Sequence, residues 1–543
     1  MTSRGLLRDS SLIAAAAGLS RVTGLVRIIV AASVLGSTVL GDLFVAVNVL
    51  PLTLYDVVAG SAISSVLVPP LVRLLDRGDR PGARRLAASA LGLVTVAMAV
   101  VTAIAIVGRG WIASALTSGV EHALIPDAAR VAGLLVAIIV PQLLLYAAIG
   151  VFVSIQHAHR RFLVASAAPI VENVGLMVTV AVVWSRYGGG REVTDAPPGL
   201  LLTLGLGSGL SVLAHAAVQY LGARRAAGSV TIALRPGDPA VRALARPVGH
   251  SFGWSSVIAL RQFALIVAAS YAGSGGVQAF EIATLAYFIP LALIGRPVAS
   301  AALPRLARAS TGPPQQLVTG YLAALRLAAW AAVPAGLALI VLSGPTADLL
   351  ARGRFDDPDT VRMLGFGLTG LGLGAASEAL FEVARQATMA TGSGDGLRRS
   401  TWIRAVTAIV GLPLAVLLLD GPAVLLGLGL AVSAGDVLAL LAAHRGLLSG
   451  RERARSSIRH GPRIAFACAL ALGPASLAIA AFDRSNDLVS FGVPAATALV
   501  LFVVAATVMT RRGRLIGELG TTLDSSAGNS SAGNSSVENG GSA

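Results

Sequence analysis

The sequence contains one cysteine, no lysine and few charged side chains. The single cysteine, Cys468, excludes an internal disulfide, and no Cys or His spacing indicates a zinc or haem site. Charged residues make up 13% of the chain, against about 25% in an average soluble domain. No G-x-x-x-x-G-K-[ST] loop is present, so we expect no bound cofactor and no ATP-driven step in this chain.

Long apolar runs dominate the 543 residues instead. Hydrophobic residues account for 55% of the chain and the mean hydropathy is +0.77. We predict an all-α integral membrane protein with about fourteen transmembrane helices, since a span needs about 20 apolar residues. The predicted spans are 11–36, 43–72, 86–108, 128–154, 162–184, 198–222, 247–273, 278–304, 319–343, 360–390, 401–419, 421–444, 463–482 and 487–510.

The loops between these spans alternate in charge. One set is rich in arginine, and the other carries mostly Asp and Glu, as in 37–42 and 352–359. The positive-inside rule then predicts that both termini are cytoplasmic and that the acidic loops are external. Because the arginines behind the net charge of +15 are spread over many short loops, we expect no nucleic-acid binding.

The chain also repeats itself. Ile29-Val-Ala-Ala-Ser33 recurs as Ile266-Val-Ala-Ala-Ser270, six spans later, and the next span of each copy begins with Pro-Leu-x-Leu. An even number of intervening spans gives a parallel repeat about an axis along the membrane normal. We therefore predict two six-helix lobes, followed by two further spans and a disordered cytoplasmic tail. The boundaries are 1–245, 246–444, 445–514 and 515–543.

Charged residues inside the first two spans indicate a transport path. Arg21 and Arg27 lie in the first span and Asp56 in the second, while Glu172 is a further carboxylate in the fifth. Charges at bilayer depth usually face a water-filled cavity or a partner. Asp56 either forms a structural ion pair with the arginines or holds them until an anion arrives. Guanidinium groups bind phosphate through two parallel hydrogen bonds.

The second copy of the repeat has its own arginines, Arg261 and Arg296. Arg261 lies well inside its span, whereas Arg296 is near a predicted cytoplasmic end, so snorkelling to the interface is an alternative for it. Gly295, Pro297 and Pro51 predict broken or kinked helices, which transporters use around cavities.

Three carboxylates in the later spans are candidates for ion coupling. Glu378 and Glu382 are one helical turn apart, and Asp436 lies in the twelfth span. Two carboxylates one turn apart resist being charged together, which suits binding of a proton or cation. The alternative is an internal pair of Glu382 with Arg385. We interpret His215 as an interhelical hydrogen-bonding residue, and we expect transport to draw on the membrane potential or on a proton or sodium gradient.

Three stretches of the sequence resemble one known family. The first runs from Ser20-Arg-Val-Thr-Gly-Leu-Val-Arg27 to Ser64-Ser-Val-Leu-Val-Pro69, and the third contains Arg352-Gly-Arg-Phe355. These stretches resemble the MurJ/MviN proteins, the lipid II flippases of peptidoglycan synthesis, within the MOP exporter superfamily. The other matching residues are Gly36, Asp42, Phe44, Arg161-Phe162, Ala168-Pro169, Asn173, Gly344-Pro345, Leu349 and Asp359.

The resemblance carries the family's functional residues over only in part. Its two basic positions in span one match Arg21 and Arg27, and its acidic position at the mouth of span two matches Asp42. Its basic pair in span two is replaced by Tyr55-Asp56, and its span-eight arginine falls at Leu285. Arg296 is eleven residues further on, close to three helical turns. The chain is thus identified as a divergent member.

The resemblance implies a flippase in a bacterial plasma membrane. It would move a polyprenyl-pyrophosphate-linked cell-wall precursor, lipid II in the first instance, from the inner to the outer leaflet by alternating access, and would make or break no bond. The lipid tail would lie along spans thirteen and fourteen, and cell-wall synthesis enzymes are expected partners. The predicted substrate-binding residues are Arg21, Arg27, Asp42, Asp56, Arg261 and Arg296.

Other functions fit parts of the same pattern. The chain could be a flippase for another lipid-linked polysaccharide, because several of the family's basic positions are replaced. A cation-coupled multidrug exporter would instead use the carboxylates of Glu378, Glu382 and Asp436. An inactive scaffold that recruits wall-synthesis enzymes is the remaining alternative.

Overall fold

The computed structural model describes residues 3–58, 60–233, 256–391, 394–448, 495–497 and 500. Every regular element in these ranges is helical, which confirms the predicted all-α membrane fold class. Ten helical stretches are long and apolar enough to cross a membrane, and two shorter ones, Val39–Tyr55 and Ser256–Ala272, are also apolar. Together they correspond to the first twelve predicted spans. The last two predicted spans, apart from four residues, and the tail at 515–543 lie outside the described residues.

Eighteen helices are described, several of them sharing one predicted span. The first nine are α1 Ser3–Leu35, α2 Val39–Val58, α3 Gly60–Asp76, α4 Arg80–Val107, α5 Arg109–Leu116, α6 Ile125–Ile139, α7 Leu143–Ala158, α8 Phe162–Ala167 and α9 Pro169–Tyr187. The others are α10 Pro198–Ala227, α11 256–269, α12 Gly276–Pro290, α13 Arg296–Ala309, α14 Pro314–Val341, α15 Ser343–Leu350, α16 Pro358–Ala390, α17 Gly394–Leu418 and α18 Ala423–Leu447.

The chain forms two compact units. The first comprises the described residues of Met1–Tyr287, Thr346–Leu371 and Thr401–Gly435. In it, α10 packs along α7 and α9, α1 packs along α9, and α3 and α4 pack along α7. The buried side chains between these helices are mostly Leu, Ile, Val and Ala, so the core is apolar and closely packed.

The second unit contains Phe288–Pro345, Gly372–Ser400 and the described residues from Asp436 onward. Its core joins α13, α14, α16 and α18 around the fully buried Tyr321. The Tyr321 hydroxyl lies 3.0 Å from Nδ1 of His444, which links α14 to α18. The first unit takes segments from both halves of the sequence and the second only from the second half, and the division into two six-helix lobes stays a prediction.

The predicted interruption at Gly295 and Pro297 is confirmed, whereas α2 runs without a break through Pro51. Pro51 does not interrupt α2, which continues to Val58, and α3 begins at Gly60. Between α12 and α13, however, Leu291–Gly295 forms a π-helical segment directly before Arg296. Pro297 then occupies the first turn of α13, where a missing backbone N–H costs no helical hydrogen bond. The π segment lies between Leu285 and Arg296, so these two residues are not separated by three regular α-helical turns as the sequence predicted.

The predicted orientation can be tested by cysteine labelling. In a Cys468→Ser background, we expect Asp356→Cys to react with a membrane-impermeant maleimide added outside intact cells, because 352–359 is predicted to be external and Asp356 is exposed. Arg77→Cys, in an arginine-rich loop, should react only after the membrane is permeabilised. The opposite labelling of these two positions would reverse the predicted topology.

Candidate functional site

Helix α1 carries the first two predicted binding residues. Arg27 lies near the middle of its apolar part, Ala15–Leu35, and Arg21 lies about two turns earlier and is exposed. The side chain of Arg27 is 27% exposed, and its Nη1 lies 4.0 Å from Oε1 of Glu172 on α9. Within the described part of the chain, the buried Nε of Arg27 has no hydrogen-bond partner. Buried polar groups are normally satisfied, so this donor is available to a ligand.

The family-like stretches meet at α1. Nδ2 of Asn173, on α9, donates hydrogen bonds to the Ser20 carbonyl at 3.1 Å and to the Thr23 hydroxyl at 3.0 Å. Gly24 lies directly opposite this amide, and a Cβ there would come within 3.6 Å of it. These contacts hold the turn of α1 from Ser20 to Gly24 against α9. They therefore place Arg27 next to the carboxylate of Glu172.

Glu172 is the centre of a buried hydrogen-bond network. Its Oε1 accepts a hydrogen bond of 2.8 Å from the Tyr146 hydroxyl on α7, and its Oε2 lies 2.7 Å from Nδ1 of His215 on α10. Three donors, counting Arg27, thus surround one carboxylate that is 14% exposed. Such satisfaction lets a charged carboxylate remain buried. The prediction that His215 makes an interhelical hydrogen bond is confirmed.

Neighbouring amides fix the orientation of His215. Nε2 of Gln156 donates to Oε1 of Gln219 at 2.7 Å, and Nε2 of Gln219 donates to the Ala165 carbonyl at 3.2 Å. The same Gln219 nitrogen faces Nε2 of His215 at 3.3 Å, so that imidazole nitrogen accepts. The His215 ring is then protonated at Nδ1, which donates to Glu172.

A second buried carboxylate lies near Arg27. Glu281, on α12, is 8% exposed and accepts a hydrogen bond of 3.4 Å from Gln262 on α11. It is close enough to Arg27 for the guanidinium charge to act on it. Arg261, next to Gln262, is half-buried and pairs with no carboxylate within the described residues. Glu281 was not among the predicted site residues, although it lies inside α12.

Asp42 has a structural role at the start of α12. Its Oδ2 accepts from the Gly275 backbone N–H at 2.8 Å, and its Oδ1 accepts from that of Gln278 at 3.0 Å. The side chain is nearly completely buried. A carboxylate that accepts from backbone amides at a helix N-terminus satisfies donors that have no partner within the helix. Its predicted part in substrate binding stays a prediction.

The loop before α16 closes onto the end of α1. Ser37 donates from its hydroxyl to Oδ2 of Asp357 at 2.6 Å, and its backbone N–H donates to the Arg354 carbonyl at 3.4 Å. Burial raises the pKa of Asp357, but the hydrogen bonds from Ser37 and Thr360 outweigh this and hold the pKa below its usual value. The Arg354 side chain lies over Gly190, where a Cβ would come within 2.8 Å of it.

The remaining predicted sites are less complete. The side chain of Asp56 lies outside the described residues, and Arg296 is exposed at the start of α13 in the second unit. In the same unit, Arg326 lies in the middle of the apolar helix α14. It was not among the predicted binding residues. Leu306 of α13 packs against Gly320 of α14.

The acidic candidates on α16 divide between two roles. Arg385 donates from Nη2 to Oε1 of Glu382 at 2.6 Å and from Nε to Oε2 at 2.9 Å. This bidentate ion pair is the one given above as the alternative to ion coupling by Glu382. Glu378, one turn earlier, is half-buried, and Asp436, on α18, is fully buried. Ion coupling by these residues stays a prediction, and no cluster of three or more metal-ligating side chains occurs among the described residues.

Comparisons with known proteins identify the family. The family model for the lipid II flippase MurJ matches residues 31–484. A relative named probable lipid II flippase MurJ, from Vibrio cholerae, is 28% identical over 70% of this chain and 72% of its own length. The lipid II flippase MurJ of Burkholderia cenocepacia is 26% identical over 67% of this chain and 69% of its own length.

Solved structures agree in fold. A lipid II flippase MurJ in an inward closed conformation has a TM-score of 0.73 at 16% identity, covering 92% of this chain and 99% of that one. An inward-facing MATE multidrug transporter of the MOP superfamily has a TM-score of 0.62 at 15% identity, covering 81% of this chain and 94% of that one. Because the family model covers most of the sequence, this multi-pass membrane protein belongs to the MurJ family of lipid II flippases, which are transporters rather than enzymes.

Proposed function

We propose that this chain moves a polyprenyl-pyrophosphate-linked cell-wall precursor, lipid II in the first instance, from the inner to the outer leaflet by alternating access. The observation that carries this proposal is the guanidinium of Arg27. It lies near the middle of an apolar helix, with its buried Nε unpartnered among the described residues and a buried carboxylate 4.0 Å away. A cation at bilayer depth is expensive, and this one retains hydrogen-bonding capacity for an anion.

The chemistry of the site suits a pyrophosphate. Arg27 and the exposed Arg21 offer planar donor sets from one helix, and a phosphate oxygen pair can accept from a guanidinium in bidentate fashion. While no substrate is bound, Glu172 balances the charge of Arg27. The network of Tyr146 and His215 around Glu172 keeps that carboxylate satisfied when the arginine turns to the substrate.

The same proposal covers location and energy source. The protein works in a bacterial plasma membrane with both termini cytoplasmic, as the loop charges favour. The membrane potential or a proton or sodium gradient drives the return of the empty carrier. The lipid tail lies along spans thirteen and fourteen, and wall-synthesis enzymes receive the product outside.

A depletion-and-rescue experiment with lipid-precursor profiling tests the proposed function. In a bacterium depleted of its own lipid II flippase, we expect expression of this chain to restore growth and to lower the accumulated inner-leaflet lipid II. The matched control is the same chain with Arg27→Leu. If the wild-type chain reaches the membrane without lowering lipid II, lipid II is not its substrate; turnover of another polyprenyl-linked glycan would identify the alternative flippase.

The role of the acidic pair on α16 is also testable. We expect Glu378→Gln to abolish the dependence of transport on the ion gradient, while Glu382→Gln chiefly lowers thermal stability because it leaves Arg385 without its bidentate partner. Asp359→Asn, an exposed change in the first turn of the same helix, is the control. If transport by Glu378→Gln still depends on the ion gradient as in the wild type, both carboxylates have a structural role instead.

A further inference from the structure

A cavity of about 530 Å³ lies at one end of the first unit, away from Arg27. It is formed by the C-terminal ends of α3, α7 and α10 and the N-terminal end of α4. Its polar lining comprises Arg80, Arg84, His159 and Arg160, and its apolar lining consists of Leu, Ile and Ala side chains, mainly from α3, α4 and α7. The cavity thus combines basic and apolar groups.

The three arginines of this cavity are not neutralised by the protein. Within the described residues, Arg80, Arg84 and Arg160 form no ion pair with a carboxylate. The nearest acid in sequence, Asp79, is engaged elsewhere, because its Oδ1 accepts from the Gly82 backbone N–H at 2.8 Å and caps α4. Like charges gathered around one cavity repel each other, and an anion bound between them removes that repulsion.

The backbone at Arg160 has an unusual conformation. Arg160 has φ +56°, and it is the one non-glycine residue with positive φ in the described part of the chain. It follows the end of α7, a position where glycine is usual because it avoids the cost of a Cβ in this conformation. Arginine at this position carries a conformational cost that glycine would avoid.

His159 adds a further polar group. Its Nδ1 lies 2.9 Å from the Ile155 carbonyl oxygen, which can only accept, so Nδ1 carries a proton. The other imidazole nitrogen, Nε2, accepts hydrogen bonds while the ring is neutral and can donate to an anion only when the ring is protonated. Three guanidinium groups and one imidazole from two helix ends therefore surround the same volume.

We propose that this cavity binds the phosphate group of an anionic phospholipid headgroup. The cavity lies among helix ends, at the level where headgroups meet a bilayer, and on the side whose arginine-rich loops are predicted to be cytoplasmic. Basic pockets between transmembrane helices on that side suit anionic headgroups, and the apolar lining suits the glycerol and first acyl carbons. The site is separate from Arg21 and Arg27 and does not depend on the proposed flippase function.

The test uses the purified full-length protein in detergent. Short-chain phosphatidylglycerol is titrated in, with phosphatidylcholine and inorganic phosphate as separate arms, and the rise in Tm is followed. We expect phosphatidylglycerol to raise Tm saturably and phosphatidylcholine not to. Arg84→Gln and Arg160→Gly should each raise the half-saturating lipid concentration about fivefold, the factor that corresponds to one basic contact. Arg85, the neighbouring arginine, is exposed like Arg84 but does not line the cavity, and Arg85→Gln should change the half-saturating concentration less than about twofold.

The variants separate lost contacts from lost structure. Arg160→Gly removes the guanidinium but suits the positive φ, so its Tm without lipid should not fall. If Arg84→Gln and Arg85→Gln weaken phosphatidylglycerol binding equally, the binding is a general attraction of anionic lipid to a basic surface. That result would overturn the proposed site. Tight binding of inorganic phosphate that is lost in the same two variants would also overturn the lipid assignment, since the occupant would then be a soluble phosphate.

Discussion

Replacing Arg27 by leucine is expected to leave the protein in the membrane and to lower export of the lipid-linked substrate about 100-fold or more. Loss of two charge-assisted hydrogen bonds to phosphate, each about 1.5–3 kcal/mol, accounts for this factor. Arg27→Lys should recover little, because an ammonium lacks the planar pair of donors. The measurement is lipid II export in the depletion strain, normalised to the amount of protein in the membrane.

A double variant separates substrate binding from a merely structural charge pair. Arg27→Leu alone leaves the carboxylate of Glu172 without its cation, whereas Arg27→Leu/Glu172→Gln removes both charges and keeps an amide oxygen that can accept from Tyr146 or His215. We expect the double variant to fold and reach the membrane and still be inactive. The control is the exposed pair Asp127 and Arg130, replaced by Asn and Gln. Wild-type export by the double variant would mean that Arg27 only neutralises Glu172.

Removal of the Asp42 carboxylate is expected to destabilise the protein by about 2–4 kcal/mol, because Asp42→Ala leaves two buried backbone donors without an acceptor. The start of α12 and the contact between α2 and α12 depend on these bonds. Asp42→Asn keeps one acceptor oxygen and should lose about half as much. Thermal unfolding in detergent measures both variants.

Comparison of stability with transport then decides the role of Asp42. Glu121→Gln is the control, since Glu121 lines the same small cavity as Asp42 but is exposed. If Asp42 acts only as a cap, export should fall in proportion to the loss of folded protein. An Asp42→Asn variant that keeps its Tm but exports nothing would instead support direct substrate binding. A wild-type Tm in Asp42→Ala would contradict the capping role.

The sequence was sufficient for the twelve described spans because hydropathy and run length directly report what a membrane requires. It also located Arg27 correctly on α1, since a charge in an apolar run is conspicuous. It did not identify Glu172 as a partner of Arg27, because Glu172 reaches Arg27 only after α9 packs against α1. The pairing of Asp56 with the arginines stays a prediction.

The neutral members of the network gave no sequence signal. Tyr146, Gln156 and Gln219 change hydropathy little, and only the packing of α7, α9 and α10 brings them to Glu172 and His215. Arg326 is a different case. Its charge in the ninth apolar run is visible in the sequence, but the internal repeat that indicated Arg261 and Arg296 covers only the seventh and eighth spans.

The π-helical segment Leu291–Gly295 has a consequence for aligning this chain with its relatives. A π turn closes on the fifth residue and an α turn on the fourth, so the segment holds one residue more than an uninterrupted α-helix of the same length. Against a relative whose helix is regular, this extra residue is a one-position gap in the middle of a transmembrane helix. Counterparts of Arg296 should therefore be sought by counting back from Ala309, at the end of α13, and not forward from α12.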